Sequence, residues 1–108
     1  MKRGDIALVA GGVYARKPRP ALIIQADVFE GTESVTVCPF TTTMVDAPLL
    51  RFQVTAEDDN GLTENSSLMV DKLTTVRRQN LREVIGRLSP HQIVEVERRL
   101  MVFLGLAD

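Results

Sequence analysis

Helical periodicity appears once in this chain, at its C-terminal end, and what precedes it reads as short strands. Ser89-Pro90-His91-Gln92 is a capping box. The serine hydroxyl can take an N–H of the first turn, and the proline stands where no N–H is needed. The glutamine can reach back to the serine amide. Ile93, Val96, Leu100, Phe103 and Leu104 follow at helical spacing and predict an apolar face, and Gly105 offers a C-terminal cap. A lone amphipathic helix behind many strands has no helical partner to pack on. It is expected to cover a small half-open barrel or a sheet, which predicts a mainly β protein with one α-helix. The 108 residues leave room for a single core, so residues 1–108 are expected to form one domain.

The strands can be placed roughly. Asp5 to Val9 predicts the first, broken by Gly11-Gly12. A polar, basic loop from Gly11 to Pro20, with Tyr14 as its only aromatic residue, leads into the near-continuous apolar strand Ala21 to Ala26. Val35 to Phe40 is the third. Pro39 has no N–H for a ladder, so pairing ends or bulges there and Thr41-Thr42-Thr43 fall at a strand end. Leu50 to Ala56 alternates as a fourth strand, and Asp58-Asp59-Asn60-Gly61 is a turn whose acidic approach, Glu57 to Asp59, is exposed. Ser67 to Lys72 and Leu73 to Val76 give one or two strands with a kink between them. Leu81 to Ile85 adds a short strand or turn before the helix.

Net charge is −1, which disfavours a generic nucleic-acid binder, but its distribution is uneven. Residues 1–27 carry +3, residues 28–71 carry −7 and residues 72–108 carry +3, so a basic patch can be built from the two ends. One cysteine, Cys38, excludes an internal disulfide and reads as a small buried hydrophobe, in keeping with a reducing cytoplasm. With a single histidine, His91, in the first helical turn, the chain cannot assemble a soft-ligand metal site, and no cofactor motif is present. No apolar run reaches the length of a membrane span, and Met1-Lys2-Arg3-Gly4-Asp5 lacks a signal-peptide core.

Arg19 is the residue that most suggests chemistry. It stands in Arg16-Lys17-Pro18-Arg19-Pro20, a basic segment stiffened by proline on both sides of the arginine, at the entrance to an apolar strand. A planar, permanently charged fork held this way suits a phosphate. The alternative is a solvated basic loop ahead of a core strand.

Arg3-Gly4-Asp5-Ile6, Arg19-Pro20-Ala21-Leu22-Ile23-Ile24-Gln25, Val37-Cys38-Pro39-Phe40-Thr41-Thr42, and Ile85-Gly86-Arg87-Leu88-Ser89 with the ending Leu104-Gly105-Leu106 run in order along nearly the whole length. Together they resemble the MazF/PemK/Kid family of toxin endoribonucleases. The resemblance implies a small SH3-like barrel of about five to seven strands with a C-terminal amphipathic helix, and a homodimer. It implies cleavage of single-stranded RNA at a short sequence. It also implies inhibition by a cognate antitoxin whose disordered, acidic C-terminal segment folds onto the toxin.

Carried onto this sequence, the resemblance makes Arg19 the catalytic arginine and Thr41 the catalytic threonine, with Thr42 and Thr43 as supporting neighbours. Metal-free RNA cleavage uses the substrate's own 2′-hydroxyl, and the protein must take a proton and stabilise charge on phosphorus. Arg19 suits a charge clamp better than an acid, because guanidinium hardly ever deprotonates. Asp71 aligns with a carboxylate that some members use as a general base. Those members carry an arginine two positions earlier, where this chain has Met69, and a loop histidine, where it has Val13 and Tyr14. Either Asp71 is the base or it is structural. Arg16 and Lys17 are expected to hold flanking phosphates, and Tyr14 to stack on a splayed base. Arg77 and Arg78, with Arg82, form a second cluster for the RNA path or an acidic antitoxin; a solvated rim is the alternative. Two other functions suit the same fold: a gyrase-binding poison like CcdB, and a non-catalytic interaction module.

Overall fold

The computed structural model describes residues 1–11 and 15–107, with Ala15 and Arg16 described by their backbone alone. Among these residues seven strands precede one α-helix: β1 (Asp5–Gly11), β2 (Ala15–Ile23), β3 (Ser34–Thr41), β4 (Arg51–Val54), β5 (Ser66–Met69), β6 (Thr74–Arg77), β7 (Leu81–Arg87) and α1 (Pro90–Phe103). Every ladder is antiparallel. The order is β4-β5-β3-β2-β1-β7, with β6 also paired to β3. Among the described residues no ladder joins β4 to β7, so the SH3-like barrel is half-open. No helix among them is long and apolar enough to cross a membrane.

Strand alternation divides the core in two. Ile6, Leu22, Cys38, Phe40, Val54 and Leu68 project to one face, where Val96 of α1 is fully buried and Ile93 and Leu100 pack alongside. Ala7, Val9, Ala21, Ile23, Val35 and Val37 project to the other face and pack with Val76 and Leu81. The helix starts as its sequence dictates: Ser89 Oγ accepts from Gln92 N at 3.1 Å, and Gln92 Oε1 accepts from Ser89 N at 3.0 Å. Gly105 follows its end with φ +73°. Phe103 and Leu104, placed on the apolar face by periodicity, are exposed, because among the described residues the core cluster under α1 ends at Leu100.

Two prolines explain how the basic segment is built. It was expected as a loop, yet residues 15–20 belong to β2. Gly4 N donates to Ile23 O at 2.8 Å on the β1 side, so Ile23, Ala21 and Arg19 turn their peptide groups toward β1. Pro18 and Pro20 therefore direct their missing donors to the opposite edge, where β3 pairs only as far as Ala21. Pro39 is tolerated on β3 for a related reason. β6 pairs with β3 up to Val37 and β5 takes over at Phe40, so the proline sits where the partner changes.

The segment from Leu50 to Ala56 is strand only over Arg51–Val54. Beyond it, Asn60 is buried and organises the acidic turn: its Oδ1 accepts from Glu57 N at 3.1 Å and Leu62 N at 3.0 Å, and its Nδ2 donates to Thr55 O at 2.9 Å. Glu57, Asp58 and Asp59 are exposed as their sequence suggested.

Candidate functional site

The face carrying Ala21, Ile23, Val35 and Val37 also carries Arg19 and Thr41, since each lies an even number of residues along the same strand. In the β2–β3 register Leu22 faces Cys38 and Ala21 faces Pro39, so two more residues of the same register would set Arg19 opposite Thr41. The ladder stops at Pro39 and leaves the two side chains flanking an opening rather than a continued sheet. Thr41 pairs in turn with Ser67, and Ser67 with Gln53, so one transverse row runs Arg19, Thr41, Ser67, Gln53.

Arg19 is exposed and has no ion-pair partner among the described residues, which leaves its fork available to a ligand. Thr41 is partly exposed, and its Oγ1 accepts from Thr43 N at 3.1 Å. Thr42 and Thr43 are exposed at the start of the following loop, and Thr42 lines a cleft of about 370 Å³ together with Arg19, Glu64 and Ser66. The row thus supplies a free cation and an oriented hydroxyl, the groups that a phosphodiester requires.

Asp71 lies in the turn Val70–Lys72 that links β5 to β6. Its carboxylate is gripped by Arg51, with Nε to Oδ1 at 3.0 Å and Nη2 to Oδ2 at 3.4 Å. That hydrogen bond holds the Asp71 carboxyl below the usual carboxylate range, against a smaller opposing effect of burial. Arg51 stands directly across the β4–β5 ladder from Met69. Asp71 thus receives a guanidinium from the neighbouring strand, while the position two residues before it is Met69. Sequence reasoning missed this pair; an arginine in an alternating strand carries no sign of its partner until the register is known. Cys38 is buried near this turn, and its thiol is pushed up to about 12 by burial and then by the Asp71 charge.

Of the remaining candidates, Lys17 is exposed on β2, two residues before Arg19. Tyr14 lies outside the described residues, and so does the side chain of Arg16. Arg77 is exposed on β6, opposite Ser34. Arg78 is tied down, its Nε donating to Thr32 O at 2.8 Å, and Arg82 Nη1 donates to Gln79 O at 3.0 Å. A second cleft, of about 520 Å³, lies under the loop between β3 and β4 and is lined by Met44, Val45, Arg51, Phe52, Gln53 and Arg99. There Arg99 stacks 4.9 Å from the Phe52 ring centre and donates to the Glu95 carboxylate and Pro48 O.

Fold and face together define a small SH3-like β-barrel protein with a helix on one side and a cationic, hydroxyl-bearing row on the other. Residues 2–104 match the PemK-like, MazF-like toxins of type II toxin–antitoxin systems. Over 108 residues, covering 99% of each chain, the sequence is 53% identical to the probable endoribonuclease MazF of Mycolicibacterium smegmatis. The Mycobacterium tuberculosis toxin MazF-mt6 superimposes with a TM-score of 0.82 at 27% identity, covering 96% of this chain and 99% of that one. An endoribonuclease from a mycobacterial species, in complex with its cognate antitoxin, gives a TM-score of 0.80 over 100% of this chain and 98% of that one; at 22% identity it speaks for the fold alone. This chain belongs to the PemK/MazF toxin family and is a homologue of the MazF endoribonucleases.

Proposed function

We propose that this protein is a sequence-specific, metal-independent endoribonuclease that cleaves single-stranded RNA and is silenced by a cognate antitoxin. The observation that carries the reading is the juxtaposition of Arg19, free of any ion pair among the described residues, with the Thr41 hydroxyl on one face. In the reaction the 2′-hydroxyl of the nucleotide before the scissile bond attacks phosphorus and gives its proton to solvent, the bond to the 5′-oxygen of the next nucleotide breaks, and that oxygen takes a proton from solvent, leaving a 2′,3′-cyclic phosphate and a 5′-hydroxyl. Arg19 clamps the non-bridging oxygens as negative charge grows on them, and Thr41 donates a hydrogen bond to one of them. Asp71 is structural in this mechanism: both carboxylate oxygens are committed to Arg51, and its lowered pKa makes it a weak proton acceptor.

Lys17, exposed two residues before Arg19, extends the cationic path for RNA phosphates, and Arg77, exposed at the far end of β3, is a separate contact for RNA phosphates or for the acidic segment of an antitoxin. Tyr14 and Arg16 are assigned to base stacking and a flanking phosphate from sequence alone. The working unit is a homodimer, a reading supported by the exposed apolar run Val102, Phe103, Leu104 and Leu106 at the end of α1. A cytoplasmic location suits both the free thiol and the substrate. A gyrase poison has no use for the Arg19–Thr41 pair, and family membership favours the nuclease over it.

The test is Arg19→Ala. The variant should keep its circular dichroism and thermal transition, because the side chain is exposed, and lose turnover of a single-stranded RNA by several orders of magnitude. A folded Arg19→Ala protein that cuts at the wild-type rate would refute the assignment.

A further inference from the structure

Ser67 carries a buried hydroxyl that the described residues leave unpaired. It is 1% exposed, and among the described residues its Oγ has no hydrogen-bond partner. Buried polar atoms of this kind are rare enough to call for a cause, and an alanine in the same place would leave nothing unsatisfied. The position is not arbitrary. Ser67 is the residue of β5 directly opposite Thr41 on one side and Gln53 on the other, on the sheet face that also carries Arg19.

A threonine hydroxyl has one proton to give and two lone pairs to fill. Thr43 N fills one of those on Thr41 at 3.1 Å, which leaves one lone pair and the proton uncommitted. A hydroxyl with both lone pairs occupied by donors can direct its own proton only toward a third group. Rotation of Ser67 about χ1 from one staggered position to another changes which cross-strand neighbour its Oγ approaches, and serine–threonine bonds across antiparallel strands are a common pairing.

We propose that Ser67 is a positioning residue for Thr41, donating its buried hydroxyl proton to Thr41 Oγ1 when Thr41 donates to a non-bridging oxygen of the bound phosphate. The chain of donors then runs from Ser67 to Thr41 to phosphate, with Thr43 N–H fixing the middle member. Each link polarises the next, so the Thr41 proton is a better donor at the moment charge develops on the phosphate. In the free protein the unfilled hydroxyl is a small cost to stability, offset only as charge develops on the phosphate in the transition state. This inference rests on the role proposed above for Thr41.

The experiment is a double-mutant cycle of Ser67→Ala and Thr41→Val, with single-turnover rate, substrate affinity and thermal midpoint measured on each protein. Ser67→Ala should lose about tenfold in rate, the worth of one hydrogen bond made only in the transition state, with affinity unchanged. Its thermal midpoint should stay level or rise, because an unsatisfied buried hydroxyl is gone. In the Thr41→Val background Ser67→Ala should have no further effect on rate. A Ser67→Ala protein with full rate overturns the proposal. So does an equal loss in both backgrounds, or a loss accompanied by a falling midpoint, either of which would make Ser67 structural. A wild type that fails to cut RNA would remove the nuclease reading itself. A wild type that cuts, with Thr41→Val impaired and Ser67→Ala intact, would remove only the relay.

Discussion

Replacing Arg51 by glutamine should expose what holds the β5–β6 turn in place. Arg51 meets Asp71 through two contacts, at 3.0 and 3.4 Å, with the side chains 14% and 24% exposed. Exposed ion pairs contribute about 0.2–1 kcal/mol, and hydrogen bonds to charged groups about 1.5–3 kcal/mol. A partly shielded, two-pronged pair falls between, so Arg51→Gln should cost about 1–2 kcal/mol at pH 7. For a domain of this size that lowers the thermal midpoint by about 5–10 °C.

The loss must also depend on pH in a set direction. The folded-state pKa of Asp71 is lowered by the Arg51 hydrogen bond, so the pair stabilises the fold above the unfolded aspartate pKa of about 3.9. That stabilisation fades as pH falls through the lower folded value. Urea unfolding of both proteins from pH 7 downward should therefore show a gap that is widest at neutral pH and closes in acid. A gap of the same size at every pH would refute the electrostatic account and leave only the packing of the arginine stem.

Gly61→Ala should be among the most damaging small changes in the chain. A Cβ there would lie 2.0 Å from the Ile85 carbonyl oxygen at φ +70°, so a loss of at least about 3 kcal/mol is expected in the denaturant midpoint, and a near-wild-type midpoint would contradict the backbone contact. Cys38, with its thiol pushed up to about 12, should resist an aromatic disulfide reagent in the native protein at pH 8 and react fully once unfolded; native labelling within minutes would show the core to be open. Ser89→Ala removes one arm of the capping box and should cost about 1 kcal/mol in the same unfolding assay, an effect that proline at the first position cannot replace.

How far the residues alone reach follows from whether the determining contact is local. The capping box at Ser89 and Gln92, the turn at Asn60-Gly61 and the end of pairing with β2 at Pro39 depend on neighbours in sequence, and all are legible there; that β5 takes over from β6 beyond it is not. Pro18 and Pro20 misled, because a proline excludes a strand only where its missing donor is needed, and the free edge beyond Ala21 is a fact of topology. Phe103 and Leu104 misled in the same way: periodicity reports a helix face but not where the core beneath it ends.

At the proposed site, Arg19 and Thr41 are suggested by resemblance, and strand alternation brings them to one face. The Arg51–Asp71 pair, and Ser67 opposite Thr41, could not be read in advance. Both are set by cross-strand register, and one residue of slip would send either side chain to the other side of the sheet.

The chemistry itself is tested most directly by one substrate pair. The purified protein is given a single-stranded RNA in excess chelator, the cut bond is located by primer extension, and a second RNA carries a 2′-deoxy nucleotide immediately before that bond. Attack by the neighbouring 2′-hydroxyl requires a clean cut in the first RNA, with a 2′,3′-cyclic phosphate on one fragment and a 5′-hydroxyl on the other, and no cut at that bond in the second. Cleavage of the deoxy-substituted strand, or cleavage only when a divalent metal is restored, would contradict it.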